Sequence, residues 1–382
     1  MKFNLPVERE LLIKNIRYLQ SLPPKEYTLQ KKWDELQNKI DPDPTQKRQA
    51  VRDIWKLFNW DNEQTVIRLI NEINPKVVLC LSRKDRERWE IFRRYASTAE
   101  FNQTPSRFIR FLVVDDNSKN KGVIGVGALS GDSNTLTPRD KFIGWTKDQR
   151  NKKAGVLNHV VNLSTCVPCQ PFGTNLLGGK LIAAMATTDV LRNHYFSKFG
   201  DILAGMTTTS LYGKPSMYNG IPQWKPMKGL STGGMPVALD DVIYARWTRY
   251  LKTHRRDEYN DAIDGRKTGP TLRVMALICQ IAGIPVSSLK HGHERGVYFS
   301  SFFENTKDFL CERIKESELV PKPLFTGDEQ KTILDWWRPK AIEAYLEKKA
   351  EGGLSYKVLF YDDGYQLDWH SFKAKYLKRQ TG

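Results

Sequence analysis

Apolar positions recur every three or four residues through the first stretch of the chain, the period of helices with one covered side. Leu11, Leu12, Ile16 and Leu19 make one such series, and Pro23-Pro24 stops it. Trp33, Leu36 and Ile40 mark a second helix. Val51, Ile54, Trp55 and Phe58 mark a third, and Val66, Leu69, Ile70 and Ile73 a fourth, with Asp61 as its cap. This spacing predicts a helical N-terminal domain over residues 1–75. The texture then becomes β-branched. Runs at 77–81, 108–114 and 122–129 predict strands, the last two joined across Asp115-Asp116-Asn117 as a hairpin. A strand at 156–163, a long helix at 175–195 and a strand at 202–207 follow. Strands around a long helix predict an α/β or α+β core over residues 76–238. Helical spacing returns at 242–254, 271–282, 302–314 and 330–349, with a strand at 356–361 and a short basic helix at 372–379. Residues 239–382 are therefore expected to form a mainly helical basic region. No internal repeat of 20–50 residues interrupts this order.

Composition narrows the class. The 382 residues are 40% hydrophobic and 11% aromatic, enough for a packed core and against wholesale disorder. No apolar run approaches the ~18 residues of a membrane span, and Met1 to Glu10 lack an apolar signal core. Five cysteines, Cys80, Cys166, Cys169, Cys279 and Cys311, are too few and too scattered for a disulfide framework. A cytoplasmic protein without membrane contact is expected. Lys and Arg number 60 against 43 Asp and Glu, a net charge of +17. Such an excess favours a polyanionic partner, nucleic acid above all; a merely soluble basic surface is the plain alternative.

The charge concentrates in three places. Residues 246–256 read Arg-Trp-Thr-Arg-Tyr-Leu-Lys-Thr-His-Arg-Arg, without an acid. Arg246, Arg249, Lys252 and Arg256 fall near one helical face, and Arg255 adjoins them. Guanidinium groups grip phosphate oxygens in a fork geometry, and Trp247 or Tyr250 could stack on bases; equally, both rings could lie in the core. Arg139, Lys141, Lys147, Arg150, Lys152 and Lys153 form a second stretch. Lys373, Lys375, Lys378 and Arg379 form a third. The 83–88 run is mixed in sign and reads as an ion-paired helix start. Next, Gln170-Pro171-Phe172-Gly173-Thr174-Asn175 lies between a strand and a helix, where a Gly-containing turn can offer backbone N–H groups to phosphate; a plain tight turn is the other reading. Tyr212 and Tyr218 follow the 202–207 strand, where a Tyr can act as a general acid. Cys166 and Cys169 with His291 and His293 have metal-like types but not the paired knuckles of zinc sites, so no metal is expected. The pairs Asp115-Asp116 and Asp362-Asp363 are the carboxylates that a Mg²⁺-dependent nuclease would need.

The order Gly122-Val-Ile-Gly-Val-Gly127, then Pro138-Arg-Asp-Lys-Phe-Ile-Gly-Trp145, then Leu157-Asn-His-Val-Val-Asn-Leu-Ser164 resembles the DruA family of the Druantia anti-phage systems, whose domain also occurs beside some transposases. The likeness covers roughly residues 105–250, and the Pro-Arg-Asp-x-x-Ile-Gly-Trp stretch is its specific part. The succession of hairpin, central strand, Gly turn, long helix, strand and Tyr-bearing segment also resembles GNAT acyltransferases and the phage Mom proteins. That resemblance implies an α+β fold with a GNAT-like mixed-sheet core in which Gln170, Gly173, Thr174 and Asn175 hold the pyrophosphate of an acyl-CoA-like donor. Asn175 stands where the GNAT pattern has a small residue. Tyr218 or Tyr212 would then protonate the leaving thiolate. Together these features imply a DNA-associated protein of a defence system or mobile element. If catalytic, it transfers an acyl-type group to a base or protein amine. Otherwise it is a non-catalytic DNA- or RNA-binding subunit, or a nuclease or transposition factor.

Overall fold

Helical periodicity at the start of the chain becomes α1 (Leu5–Ser21), α2 (Pro24–Asn38), α3 (Pro44–Asp53) and α4 (Glu63–Glu72). The computed structural model describes residues 3–38, 44–57, 59–96, 107–117, 121–151, 155–210, 216–231, 237, 239–264, 270–290, 292–356 and 367–377. Asn62, not Asp61, caps α4: its Oδ1 accepts the Thr65 N–H at 3.0 Å, while Asp61 accepts the Tyr356 hydroxyl at 2.6 Å. These helices turn their apolar sides to elements far along the chain. Leu12, Ile16 and Leu19 of α1 pack with Trp247, Leu251 and Ile278, whereas Leu29 and Leu36 of α2 pack with Phe372 and Tyr376.

The centre is one mixed sheet. Its strands are β1 (Pro75–Leu79), β2 (Ile109–Asp115), β3 (Val123–Gly131), β4 (Val160–Pro168), β5 (Gly205–Ser210), β6 (Lys225–Leu230) and β7 (Gly296–Ser301), in the order β1-β2-β3-β4-β5-β7-β6. Every pairing is antiparallel except β4 with β5. Helix α5 (Arg83–Ala96) lies between β1 and β2 in sequence. Helices α6 (Thr137–Ile143) and α7 (Lys147–Asn151) precede β4. Helices α8 (Phe172–Asn175), α9 (Gly178–Met185) and α10 (Asp189–Phe199) separate β4 from β5. After β6 come α11 (Asp241–His254), α12 (Arg256–Ile263) and α13 (Pro270–Ile281); after β7 come α14 (Thr306–Leu310), α15 (Glu329–Ala350) and α16 (Trp369–Tyr376). Among the described residues no helix is long and apolar enough to cross a membrane.

Strand alternation explains why both faces of the sheet are covered. Phe111 and Val113 of β2 join Leu181, Ile182 and Trp337 on one side, while Leu112 and Val114 join Trp89 and Phe92 on the other. Glycine is needed in β3. A Cβ at Gly127 would lie 2.0 Å from Phe111 Cζ, and one at Gly125 would lie 2.3 Å from Ile182 Cδ1. The fold is thus α+β, one of the two classes the pattern predicts, with several local departures. The third helix, expected through Val51, Ile54, Trp55 and Phe58, ends at Asp53, and Ile54 bridges Val123 instead; Phe58 lies outside the described residues. The 175–195 helix is divided: Leu177 takes φ +51°, and the Thr187 and Thr188 hydroxyls bond the carbonyls of Ala184 and Met185, each at 2.8 Å. The 302–314 helix shrinks to α14, and β7 enters before it. The 156–163 strand opens with a 3₁₀ turn over Val156–His159 and runs on to Pro168. The strand expected at 356–361 lies, from residue 357 on, outside the described residues.

Candidate nucleic-acid interface and the turn after the central strand

The Pro138–Trp145 block folds into a closed ionic unit. Pro138 occupies the first turn of α6, and Gly144 ends that helix at φ +87°, a conformation glycine adopts without strain. Ile143 is buried. Arg139 has no accessible side-chain surface and meets Asp132 and Asp140 at 2.7 Å each. Burial opposes its charge, but Asp132 and Asp140 overcome that and raise its pKa above the ordinary arginine value. Asp140 also accepts from Arg150 at 2.7 Å, from the Trp145 indole at 3.0 Å and from the Leu136 N–H at 3.1 Å. Arg139 and Arg150, expected on nucleic acid, are therefore internal ties. Lys141 and Lys147 are exposed; Lys152 and Lys153 lie outside the described residues.

The turn after β4 is closed as well. Gly173 N–H bonds the Cys169 carbonyl at 2.8 Å, Asn175 N–H the Pro171 carbonyl at 2.9 Å and Leu176 N–H the Phe172 carbonyl at 3.0 Å. Thr174 donates both its N–H (2.9 Å) and its hydroxyl (2.7 Å) to Gln170 Oε1. Each of these four N–H groups is therefore committed within the turn. Asn175 is fully buried and exchanges two hydrogen bonds with the Ser355 backbone, at 2.8 and 2.9 Å. Lys348 Nζ caps the Thr174 carbonyl at 2.7 Å. A Cβ on Gly173 would lie 2.6 Å from Pro168 Cγ, so packing accounts for this glycine. The four residues expected to cradle a donor pyrophosphate hold the chain to itself instead.

Tyr218 stands where β4 and β5 part. The parallel pair runs only from Val160↔Gly205 to Asn162↔Thr207. Beyond it the Thr208 hydroxyl bonds the Leu163 carbonyl at 3.1 Å and lies 3.2 Å from the Tyr218 hydroxyl. Tyr218 is buried. Desolvation first, then the neighbouring Cys166, pushes its pKa well above 10, so the phenol keeps its proton. Burial likewise pushes the Cys166 thiol up to about 12, and Cys169 higher still, against a nucleophilic role for either. Tyr212 lies outside the described residues.

On α11, Trp247 and Leu251 are fully buried, and Tyr250 stacks between Phe3 (4.2 Å) and His254 (4.7 Å). The rings expected to meet bases belong to the packing of α1 against α11. Arg246 pairs with Glu8, a carboxylate only 1% exposed, and Arg255 meets Glu258 at 3.0 Å. Arg255 also leaves helical geometry (φ −140°, ψ 47°), so Arg256 opens α12 and does not extend the α11 face. Arg249, Lys252 and Arg256 remain exposed.

The other candidates are tied up in the fold. Asp115 accepts from the Trp55 indole and the Asn74 N–H, each at 3.0 Å, and Asp116 meets Lys76 at 2.6 Å. Asp362, Asp363 and His291 lie outside the described residues, and His293 Nε2 sits 3.0 Å from the Leu22 carbonyl oxygen. Lys373 pairs with Glu26. The 83–88 run holds an ion pair, Arg83 to Glu87 at 2.8 Å. Helical spacing could have revealed that Arg83, Arg86 and Arg94 share a side of α5; the contribution of Arg110 from β2 depends on tertiary structure.

No curated protein and no solved structure matches the chain. A family model described as Druantia protein DruA matches residues 26–312. That span takes in the Arg139–Asp140–Trp145 unit, whose motif positions are explained by folding. The chain belongs to the DruA family, and its role lies in Druantia anti-phage defence.

Proposed function

We propose that this protein is a nucleic-acid-binding subunit, with DNA the expected partner, working beside the other Druantia components rather than as an acyltransferase. The observation that carries the reading is the exposure of Arg249, Lys252 and Arg256 without an ion pair among the described residues, in a chain of charge +17. These side chains reach phosphate without breaking an ion pair among the described residues; Lys252 Nζ lies 5.5 Å from the centre of the Tyr259 ring. The committed N–H groups of the Gly173 turn count against donor binding. Fluorescence anisotropy with a mixed-sequence duplex over a salt series tests the proposal. Affinity is expected to fall steeply with salt; flat affinity from low to physiological salt would overturn it.

Acyl transfer has one observation in its favour: Tyr218 stays protonated beside the parting of β4 and β5. Millimolar acyl-CoA is expected to leave Tm unchanged. A rise in Tm would restore the enzymatic reading.

A further inference from the structure

Four arginines meet at a cavity beside the sheet, on elements other than α11. Arg83, Arg86 and Arg94 project from one side of α5, and Arg110 comes from β2; with Glu87 and Glu90 they line a space of about 340 Å³. Four guanidiniums against two carboxylates leave a local excess of two positive charges. Arg110 is held in place by aromatic rings, its Cζ 4.6 Å from the centre of Phe108 and 5.3 Å from that of Trp89. Trp89 is anchored in turn by its indole N–H on the Gly127 carbonyl at 2.8 Å. The acids neutralise this wall incompletely. Glu87 takes Arg83 at the solvent edge, while Glu90 lies 3.5 Å from Arg110 and 3.6 Å from Arg93, long for hydrogen bonds. The Nε–H groups of Arg94 and Arg110 are buried without an acceptor among the described residues, an arrangement that costs free energy until an acceptor arrives.

We propose that this cavity binds a phosphate monoester carried on a sugar. A monoester holds about −1.5 to −2 charges at pH 7, matching the excess, whereas an internal phosphodiester holds one. Its oxygens suit guanidinium forks. The volume lies near the lower end of the roughly 300–1,000 Å³ of small-ligand sites, room for a phosphate and its sugar. Two sources present this group: the 5′ end of a nucleic-acid strand and a free nucleoside monophosphate. The site does not depend on duplex binding at α11.

The test compares one single-stranded oligonucleotide bearing a 5′-phosphate or a 5′-hydroxyl by fluorescence anisotropy, and adds a thermal shift with nucleoside 5′-monophosphate. The phosphorylated strand is expected to bind about tenfold tighter, the worth of one charge-assisted contact. The preference should vanish in an Arg86→Gln/Arg94→Gln double variant and persist in Arg249→Gln/Lys252→Gln. The ligand-free Tm of each variant reports its folding. If the monophosphate raises Tm in the native protein but not in the double variant, while the two strands bind alike, the site stands and its ligand is the free nucleotide. Equal binding of both strands together with no shift from the monophosphate overturns the proposal. If neither strand binds but the shift remains, the ligand is the free nucleotide and this proposal holds, while the duplex salt series decides the α11 reading separately.

Discussion

Residues 139–150 and 246–256 look alike in sequence, each a run of cations with aromatic neighbours, but the fold draws the two arginines of the first inward, leaving Lys141 and Lys147 exposed, and keeps most cations of the second in water. In the first, Arg139 and Arg150 turn inward and share Asp140, with Asp132 completing the set. The acids are local in sequence, and each of the two arginines has a carboxylate partner. In the second no acid lies within the run. The nearest partners are Glu258, three residues beyond Arg255, and Glu8, on another helix altogether. Pairing there stops short, and three cations are left in water. What separates a structural from a binding cation is the supply of carboxylates that can be buried with it, not the density of positive charge.

The comparison breaks most visibly at Arg139. Arg139→Ala leaves the buried Asp132 without its counter-ion, while Asp140 keeps Arg150, and removing one partner of a buried pair costs about 3–5 kcal/mol. Urea denaturation should show the midpoint falling with an unchanged slope. A loss within ~0.5 kcal/mol, the range of ordinary surface substitutions, would mean that the first region is no more structural than the second. A smaller effect is expected at Arg246, the one α11 cation that resembles the first region. Arg246→Ala strands the buried Glu8 carboxylate, whose Oε2 already lacks a hydrogen bond. Because Arg246 is 32% exposed, water screens the pair and the cost drops to about 1–2 kcal/mol. Adding Glu8→Gln to Arg246→Ala should recover part of that loss. If it recovers none, packing rather than charge holds α1 on α11.

Much of this contrast was hidden in the sequence for definite reasons. Periodicity shows that a helix covers one side but not what covers it, so Leu12, Ile16 and Leu19 could be read as helical without revealing Trp247 as their partner. It placed β1, β2 and β3 well: β2 and β3 meet a core on each face, and β1, at the sheet edge, packs Val77 and Leu79 on one. It missed β6, where Pro226 and Gly229 sit in an irregular ladder, and β7, whose apolar run is only Val297-Tyr298-Phe299. At the site, Arg139 could be recognised as charged but not as desolvated. The pair of Arg246 with Glu8 spans 238 positions. Gln170 and Gly173 had the right types for a phosphate turn; that Gln170 Oε1 takes both Thr174 donors is a matter of side-chain direction.

Mild acid should touch the α11 side through His293. Burial, then the charge of Arg295, lowers its pKa, against a raising contribution from the Leu22 carbonyl. His293 lies edge-on to Tyr27 within the packing of α1 and α11. With the folded value below the unfolded one of about 6.5, the unfolded chain takes up the proton more readily. This contribution to stability is complete above that pH and declines as pH falls through it. Urea midpoints between pH 7.5 and 5.5 should therefore decline less in His293→Gln than in the native protein. Identical declines would place the acid sensitivity elsewhere.

The smallest effect on stability is the most informative about the second region. Replacing Arg249, Lys252 and Arg256 together with Gln removes no ion pair among the described residues, so the urea midpoint should move by no more than about 0.5 kcal/mol in stability. Binding should behave otherwise. Each lost phosphate contact lowers the slope of log affinity against log salt by about one, so the triple variant should lose about three and weaken on every duplex sequence alike. The same substitutions that leave folding untouched would thus remove a function. Arg139→Ala, measured at a temperature where it remains folded, should leave the slope unchanged. If the triple variant kept the native slope while Arg139→Ala altered it, the two regions would have to exchange roles.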